Sequence, residues 1–408
     1  MIKHPHKIIF KCRLCKSRDL IYVHRYNKSP LCDEFLEKKK KQFFYPLNLQ
    51  KCNKCNFVQI DTVVEPRKIY DNYLYLSKSS SGLSEHFRDY SKQILKKLKI
   101  RNQKKIIDIG SNDGVLLKHF KKAGHKVYGI EPFKEASIVA NKNNILTINS
   151  YFDKDLVKSF KKILGQVDLI CINNLFANVE DLDDFTLNCN EILKDDGYIV
   201  IESSYLFDML KKNIFDFVYH EHLSYLSINP LRKYFKKFGL TLIDLHASKS
   251  KGGSLRYIFK KSSKKQILSD KVKKLINRET IDYKNFDKII YNFKKNISEL
   301  KNNLHSFFQA NHGKTIAAFG ASATSTTFLT ENEIGTNLSY FIDENPSKIH
   351  KHSPGYSIKV IKLNNIKKYK IDIIIILAWR FAPQIAKKIK KHNTNYLVPL
   401  PKFKYYEF

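Results

Sequence analysis

Three groups of residues in this 408-residue chain combine types and spacings that can do chemistry. The first is a pair of C-x-x-C turns, Cys12-Arg-Leu-Cys15 and Cys52-Asn-Lys-Cys55. Each turn puts two sulfurs on one side of a tight knuckle, and two knuckles complete a tetrahedral sulfur shell for zinc. Neighbouring Lys11, Lys16, Lys51 and Lys54 favour thiolate over thiol. The rival reading is a redox dithiol, but one redox pair has no need of a second. The other three of the 7 cysteines, Cys32, Cys171 and Cys189, lack such spacing and read as core thiols. An odd count in a long chain does not describe a disulfide framework.

The second group is Asp108-Ile-Gly110-Ser-Asn112-Asp113-Gly114, at the end of an apolar run and the start of an amphipathic one. The first glycine allows a tight strand-to-helix turn, and the second lets a ligand approach the backbone N–H groups. About 20 residues on, Tyr128-Gly-Ile-Glu131-Pro132 closes a second strand with an acid suited to accept two ribose hydroxyls. The loop is not G-x-G-x-x-G and lacks the third glycine of a pyrophosphate cradle. S-adenosylmethionine therefore fits better than NAD. A third strand, Asp168-Leu-Ile-Cys-Ile-Asn173-Asn174, and the later run LKDDGYIVIE complete the order of a class I methyltransferase. The expected cofactor side is Asp108, Gly110, Asn112, Asp113, Gly114, Glu131 and Asn173.

The third group, Tyr219-His220-Glu221-His222, packs three ionisable residue types into four positions. A lone histidine is more often structural than catalytic. Here Glu221 and Tyr219 could set the orientation and basicity of His222. Residue types alone leave both roles open.

The elements that must carry these groups follow from hydrophobic periodicity. Residues 1 to about 65 hold the knuckles and short β-like runs at Ile8–Phe10 and Phe57–Ile60. A tyrosine- and serine-rich stretch from Tyr70 precedes a helical pattern with His86 and Phe87 near its start. From Lys105 onward, apolar runs alternate with helix-length segments, which implies βαβ units and a parallel sheet. A lysine-rich segment at about 260–312 reads as one or two long helices. A second α/β unit begins at TIAAFGASAT (315–324) and ends with the buried run IDIIIILAW (371–379). That last run is about half the length needed to span a bilayer.

Taken in order, these stretches resemble the nucleotide-sugar C-3-methyltransferases that make branched deoxysugars such as mycarose and tetronitrose. The resemblance is nearly full-length. It rests on the two C-x-x-C pairs followed by Val58-Gln59, the run from Tyr73, Glu85-His86-Phe87, residues 109–114, Gly129–Pro132 and Tyr219–Ser227. It continues through Gly252-Gly253-Ser254-Leu255-Arg256-Tyr257, Phe319-Gly320-Ala321 and Asp343-Glu-Asn345-Pro346-Ser-Lys348 to Pro354-Gly355. It implies an α/β protein in three parts: a small zinc-binding domain (1–68), a Rossmann-like class I methyltransferase domain (69–258), and a helical connector with a C-terminal Rossmann-like domain (259–408).

The resemblance also implies chemistry. Such enzymes act on a 4-keto-6-deoxy sugar linked to a nucleotide diphosphate, where the C4 ketone acidifies the C3 proton. By motif, His222 is the base, with Tyr219 and Glu221 contacting it or the sugar. Tyr73, Ser77, Asn174, Asn178 and Arg256 fall on the substrate side, and the C-terminal domain helps to hold the diphosphate. Zinc is then structural. Three positions depart from the family pattern: Asn178 and Lys251 stand where histidines are usual, and Thr324 where a lysine is usual. All lie inside otherwise retained motifs, which favours a different sugar or nucleotide over drift.

The formal net charge of +34 raises nucleic-acid or anionic-membrane binding. The lysines, however, recur along every segment, as at 38–41, 96–99 and 387–391, instead of concentrating on one element. A solvated lysine-rich surface accounts for them, and the charge still favours a polyanionic small substrate. The start of the chain shows no apolar signal segment. The expectation is a cytoplasmic monomer acting on a small-molecule nucleotide sugar, with no nucleic-acid or membrane partner. The competing activities are O- or N-methylation of a related metabolite and, further off, RNA binding or RNA methylation.

Overall fold

The computed structural model describes residues 6–70, 82–248, 252–262 and 267–408. Tyr73, Ser77 and Lys251 lie outside the described residues. The largest sheet has seven strands in the order Leu240–Ser248, Ser254–Lys261, Leu193–Ser204, Val167–Asn173, Lys105–Ile109, Lys126–Ile130, Thr147–Ile148. The last five are parallel, and Ser254–Lys261 runs antiparallel to both of its neighbours. One reversed strand near the edge of an otherwise parallel sheet is the class I methyltransferase fold. Ile106, Ile107 and Ile109 are buried, as are Leu169, Ile170 and Ile172. Strands covered on both faces need such continuous apolar runs. The strand beginning at Ser254 continues to Lys261, beyond the seam expected at 258.

The N-terminal part carries a four-stranded antiparallel sheet in the order Ser224–Tyr225, Val58–Ile60, Tyr45–Cys52, Leu20–Ser29. Its edge strand comes from the segment that holds Tyr219–His222. The helix of residues Leu83–Lys97 then covers the middle sheet, burying Leu83, Phe87, Tyr90 and Ile94 at helical spacing.

The lysine-rich connector forms two helices, Asp270–Lys284 and Phe286–Ala310. Ser269 opens the first by accepting from the Val272 N–H at 3.4 Å. In the second, Phe286, Ile290, Phe293, Ile297, Leu300 and Leu304 recur every three or four residues and are buried on one stripe, leaving the lysines outside.

The C-terminal sheet has six strands, in the order Lys359–Ile361, Tyr340–Ile342, Ile316–Phe319, Ile373–Ile376, Asn395–Val398, Lys404–Tyr406. All are parallel except the last. The apolar run at 371–379 thus supplies a central strand, with Ile373 through Ile376 fully buried. Each such side chain contributes about 1.5–3 kcal/mol on burial. Among the described residues, no helix is long and apolar enough to cross a membrane.

One buried cluster runs through all three parts. It joins Val23 and Leu47 of the first sheet to Phe215 and Phe217, to Phe293 of the connector, and to Ile316 and Ile373 of the last sheet. The segment carrying Tyr219–His222 lies within that shared core.

Candidate active site

The C-terminal ends of the middle-sheet strands open onto a cleft of about 350 Å³. Asp108, Gly110, Ser111, Asn112, Glu131, Asn173, Asn174, Asn178, Tyr219, Glu221 and His222 all line it. The expected cofactor side and the expected acid–base cluster therefore face one space. Ligands bind at this edge of open α/β sheets because strand ends and loop N–H groups converge there.

The loop after Lys105–Ile109 turns through Gly110 (φ 74°) and Asn112 (φ 48°). A Cβ on Gly110 would come within 3.1 Å of Leu175, so the backbone passes close to the third strand's end. The Glu131 carboxylate is held by two backbone donors, Asn112 N–H to Oε2 and Phe133 N–H to Oε1, both at 2.8 Å. Burial nonetheless pushes its carboxyl above the usual range. Asn173 donates to Asp108 at 3.4 Å, while its own Oδ1 is buried with no partner. Burial pushes the Asp108 carboxyl up to about 8. An unsatisfied amide oxygen and a fixed two-oxygen acceptor fit an adenosyl ligand.

Two residues expected on the cofactor side do not line the cleft. Asp113 is 4% exposed. Gly114 caps the helix Val115–Lys122 at φ 76°, where a Cβ would meet Ile145 at 3.1 Å. Both shape the turn, because the loop has already folded away into the helix by then.

Tyr219, Glu221 and His222 lie between the 3₁₀ turn Phe215–Phe217 and the strand Ser224–Tyr225. His222 Nδ1 is 3.2 Å from the Phe217 carbonyl oxygen. A carbonyl only accepts, so Nδ1 carries the proton and Nε2 carries the lone pair. The Tyr219 hydroxyl is 3.1 Å from that Nε2, and the two rings pack with centroids 4.2 Å apart. Burial pushes the Tyr219 phenol well above its ordinary value, so it stays a proton donor. His220 faces the other way. Its Nε2 bonds the Pro46 carbonyl at 3.0 Å, and burial lowers its pKa to about 4. Of the two histidines, His222 alone faces the cleft.

On the substrate side, Asn174 leaves its strand at φ 54° with its N–H bonded to the Glu202 carbonyl at 2.8 Å. Asn178 donates to the Tyr70 hydroxyl at 3.2 Å and keeps a buried, unpartnered Oδ1. Tyr70 and Phe87, from stretches noted in the sequence, also line the cleft, as do Phe133 and Tyr151, which were not singled out. Isolated aromatics carry no spacing signal, and only the fold gathers them.

Arg256 does not reach the cleft. It is 2% exposed and pairs with Glu202 at 2.7 Å, the residue directly opposite on the neighbouring strand. It also donates to Gln93 at 3.0 Å and stacks over the Tyr90 ring at 3.8 Å. Glu202 in turn bonds His86 at 2.5 Å. The register demands a cation opposite a buried carboxylate, so this arginine is structural. Removing one member of such a pair costs about 3–5 kcal/mol.

The ligand sulfurs of Cys12, Cys15, Cys52 and Cys55 all lie within 4.8 Å of one another. Cys12 and Cys55 approach to 3.5 Å, as do Cys15 and Cys52. Tetrahedral bonds of about 2.3 Å put sulfurs about 3.8 Å apart, so the set fits zinc. None of the four lines the cleft. The first knuckle instead reaches the acid–base segment through Arg13, whose guanidinium donates to the carbonyls of Ile60 at 2.7 Å and Leu223 at 3.1 Å. Leu223 is the residue after His222.

The chain matches three family models in succession: a zinc-binding domain over residues 12–70, a methyltransferase domain over 83–245, and a C-methyltransferase C-terminal domain over 249–401. It is an S-adenosylmethionine-dependent methyltransferase of the C-methyltransferase type. Its cofactors are S-adenosylmethionine and zinc. The methyltransferase is 25% identical over 407 residues to C-methyltransferase NovU from Streptomyces niveus, covering 96% of each chain. Magnesium protoporphyrin IX methyltransferase from Synechocystis PCC 6803 with bound SAH is 13% identical at TM-score 0.36, over 48% of this chain and 92% of that one. An S-adenosylmethionine-dependent methyltransferase from Clostridium acetobutylicum ATCC 824 is 12% identical at TM-score 0.35, over 48% and 96%.

Proposed function

We propose that this methyltransferase methylates C3 of a nucleotide-diphosphate-linked 4-keto-6-deoxy sugar, with His222 as the general base. The observation that carries the reading is that the His222–Tyr219 pair and the Asp108, Asn112, Glu131 and Asn173 cradle line one cleft. The similarity to a C-methyltransferase along nearly the whole chain supports the carbon acceptor.

When bound, S-adenosylmethionine supplies an electrophilic methyl group on a sulfonium sulfur. Glu131 holds the ribose hydroxyls, and Asp108, Gly110, Asn112 and Asn173 complete the cofactor side. Nε2 of His222 takes the C3 proton of the sugar. The C–H electron pair moves into an enolate whose charge rests on the C4 oxygen. Tyr219, already hydrogen-bonded to Nε2, is within reach to donate to that oxygen as the histidine becomes charged. C3 then forms the new carbon–carbon bond as the carbon–sulfur pair returns to sulfur. Glu221, Asn174 and Asn178 orient the sugar from the same walls, and the resemblance adds Tyr73 and Ser77, outside the described residues, as contacts to the nucleotide sugar. Zinc sits in a closed sulfur shell and acts through structure.

The test is isotope exchange with a 4-keto sugar nucleotide in D₂O, with the demethylated cofactor product present to complete the site. Wild type washes deuterium into C3, and His222→Ala does not. The same variant binds both ligands but turns over roughly 10²–10⁴-fold more slowly, the usual loss for a general base. Equal exchange in both proteins moves the base elsewhere. A methoxy carbon in the product spectrum rejects C-methylation and favours an O-methyltransferase, giving Asn178, Lys251 and Thr324 a concrete meaning.

A further inference from the structure

The geometry points to Asp216 as a positioning residue, through which Arg380 and Trp379 of the C-terminal part set the tautomer and orientation of His222. The inference rests on the reading of His222 as the base.

Asp216 is fully buried six positions before His222. Its Oδ1 accepts from Arg380 Nη2 at 2.7 Å, and its Oδ2 from Arg380 Nη1 at 3.1 Å and Trp379 Nε1 at 3.0 Å. A planar guanidinium meeting a carboxylate with two bonds fixes direction as well as distance. The same guanidinium lies 4.5 Å over the Phe217 ring and 4.1 Å over the Trp379 ring. Arg380 thus grips two consecutive residues, one by its edge and one by its face.

The peptide that matters is the next one, which joins Phe217 to Val218. The carbonyl of Phe217 is the acceptor for His222 Nδ1–H at 3.2 Å. The next carbonyl, of Val218, accepts from the Thr327 hydroxyl at 2.8 Å, on the helix Ala323–Asn332. Two elements of the C-terminal part therefore hold the chain on either side of the Phe217 carbonyl. If that carbonyl rotates, Nδ1–H loses its acceptor and the ring is released to the other tautomer. Nε2 would then carry the proton and could not take another from the sugar. The partner of the non-reacting nitrogen decides which nitrogen is basic.

Neither Asp216, Trp379 nor Arg380 lines the cleft. The C-terminal part would contribute to proton transfer without touching the reacting atoms.

The test uses full-length protein with ring-¹⁵N histidine. His222 is assigned among the 14 histidines by the signals lost in His222→Gln. Wild type should show a protonated Nδ1 and an unprotonated Nε2. Because Arg380→Gln leaves a buried carboxylate unpaired, the main variant is Asp216→Asn with Arg380→Gln, which removes both charges at similar volume. It should shift His222 toward the Nε2–H tautomer and lower kcat roughly 10- to 100-fold, the usual cost of losing an orienting partner. Affinity for S-adenosylhomocysteine should stay within about two-fold. Arg380→Lys should fall between wild type and the double variant. An unchanged His222 tautomer in the double variant, or a loss of cofactor affinity parallel to the loss of kcat, overturns the inference. The tautomer is read without substrate, so it stands or falls separately from the base assignment, which fails if His222→Ala keeps its turnover.

Discussion

Replacing Glu131 tests the cofactor cradle most directly. Its two carboxylate oxygens are each fixed by one backbone N–H at 2.8 Å, from Asn112 and from Phe133. Each oxygen keeps a further lone pair for a ribose hydroxyl. A hydrogen bond to a charged group contributes about 1.5–3 kcal/mol. Glu131→Ala removes both acceptors, but water entering the space recovers part of the loss, so the net deficit is about that of one bond. At about 1.4 kcal/mol per factor of ten, affinity for S-adenosylmethionine should fall about 10- to 100-fold. Glu131→Gln preserves volume and one oxygen but turns an NH₂ group toward one of the two backbone donors, so it loses one loop contact and one ribose acceptor and should weaken binding less than Glu131→Ala. Isothermal titration with S-adenosylmethionine and with its demethylated product reads both. Unchanged affinity in Glu131→Ala would mean that the adenosyl pocket has been assigned to the wrong strand end.

Purified protein should carry about one zinc per chain, with Zn–S distances near 2.3 Å by X-ray absorption. Chelation should lower the melting temperature first and activity as a consequence, through Arg13 and the Ser224–Tyr225 strand pairing. Metal-free protein of equal stability, or a Cys12–Cys52 disulfide in the active form, contradicts this. Asp108 predicts a pH effect whose sign follows from burial. Its folded pKa of about 8 lies above the ordinary 3.8, so folding favours the protonated carboxyl. That contribution is full below about pH 4 and is lost as the pH rises to about 8. Asp108→Asn cannot ionise, so without cofactor it should lose less stability than wild type between pH 5 and pH 8. Parallel denaturation curves for the two proteins would show that this carboxyl is already charged.

Much of the site was legible in sequence because its parts are local. A C-x-x-C knuckle closes within a few residues, and its two copies announce a four-sulfur shell wherever the chain runs between them. A glycine-containing loop between an apolar strand and an amphipathic helix is likewise a short-range feature, as is an acid at the end of the following strand. The connector's apolar stripe, Phe286 through Leu304, fixes its own helical burial. These features depend on backbone sterics and near-neighbour hydrogen bonds, which residue order specifies.

Other roles were set by partners far along the chain. Arg256 sits in a motif that looked like a substrate contact, yet sheet register puts it opposite Glu202, which is 54 positions away. His220 and His222 are two residues apart and chemically alike. Only the pairing of their segment with Val58–Ile60, and the Pro46 carbonyl waiting for His220, turns one inward and leaves the other in the cleft. Asp216 gave no sign of importance until Arg380, 164 positions later, was found clamped to it. Sequence by itself determined which chemistries this protein could support, because local backbone geometry builds a zinc knuckle or a cofactor loop. Tertiary structure alone decided which side chains serve them, because facing a cleft or a buried counter-charge depends on register between segments that meet only when the whole chain has packed.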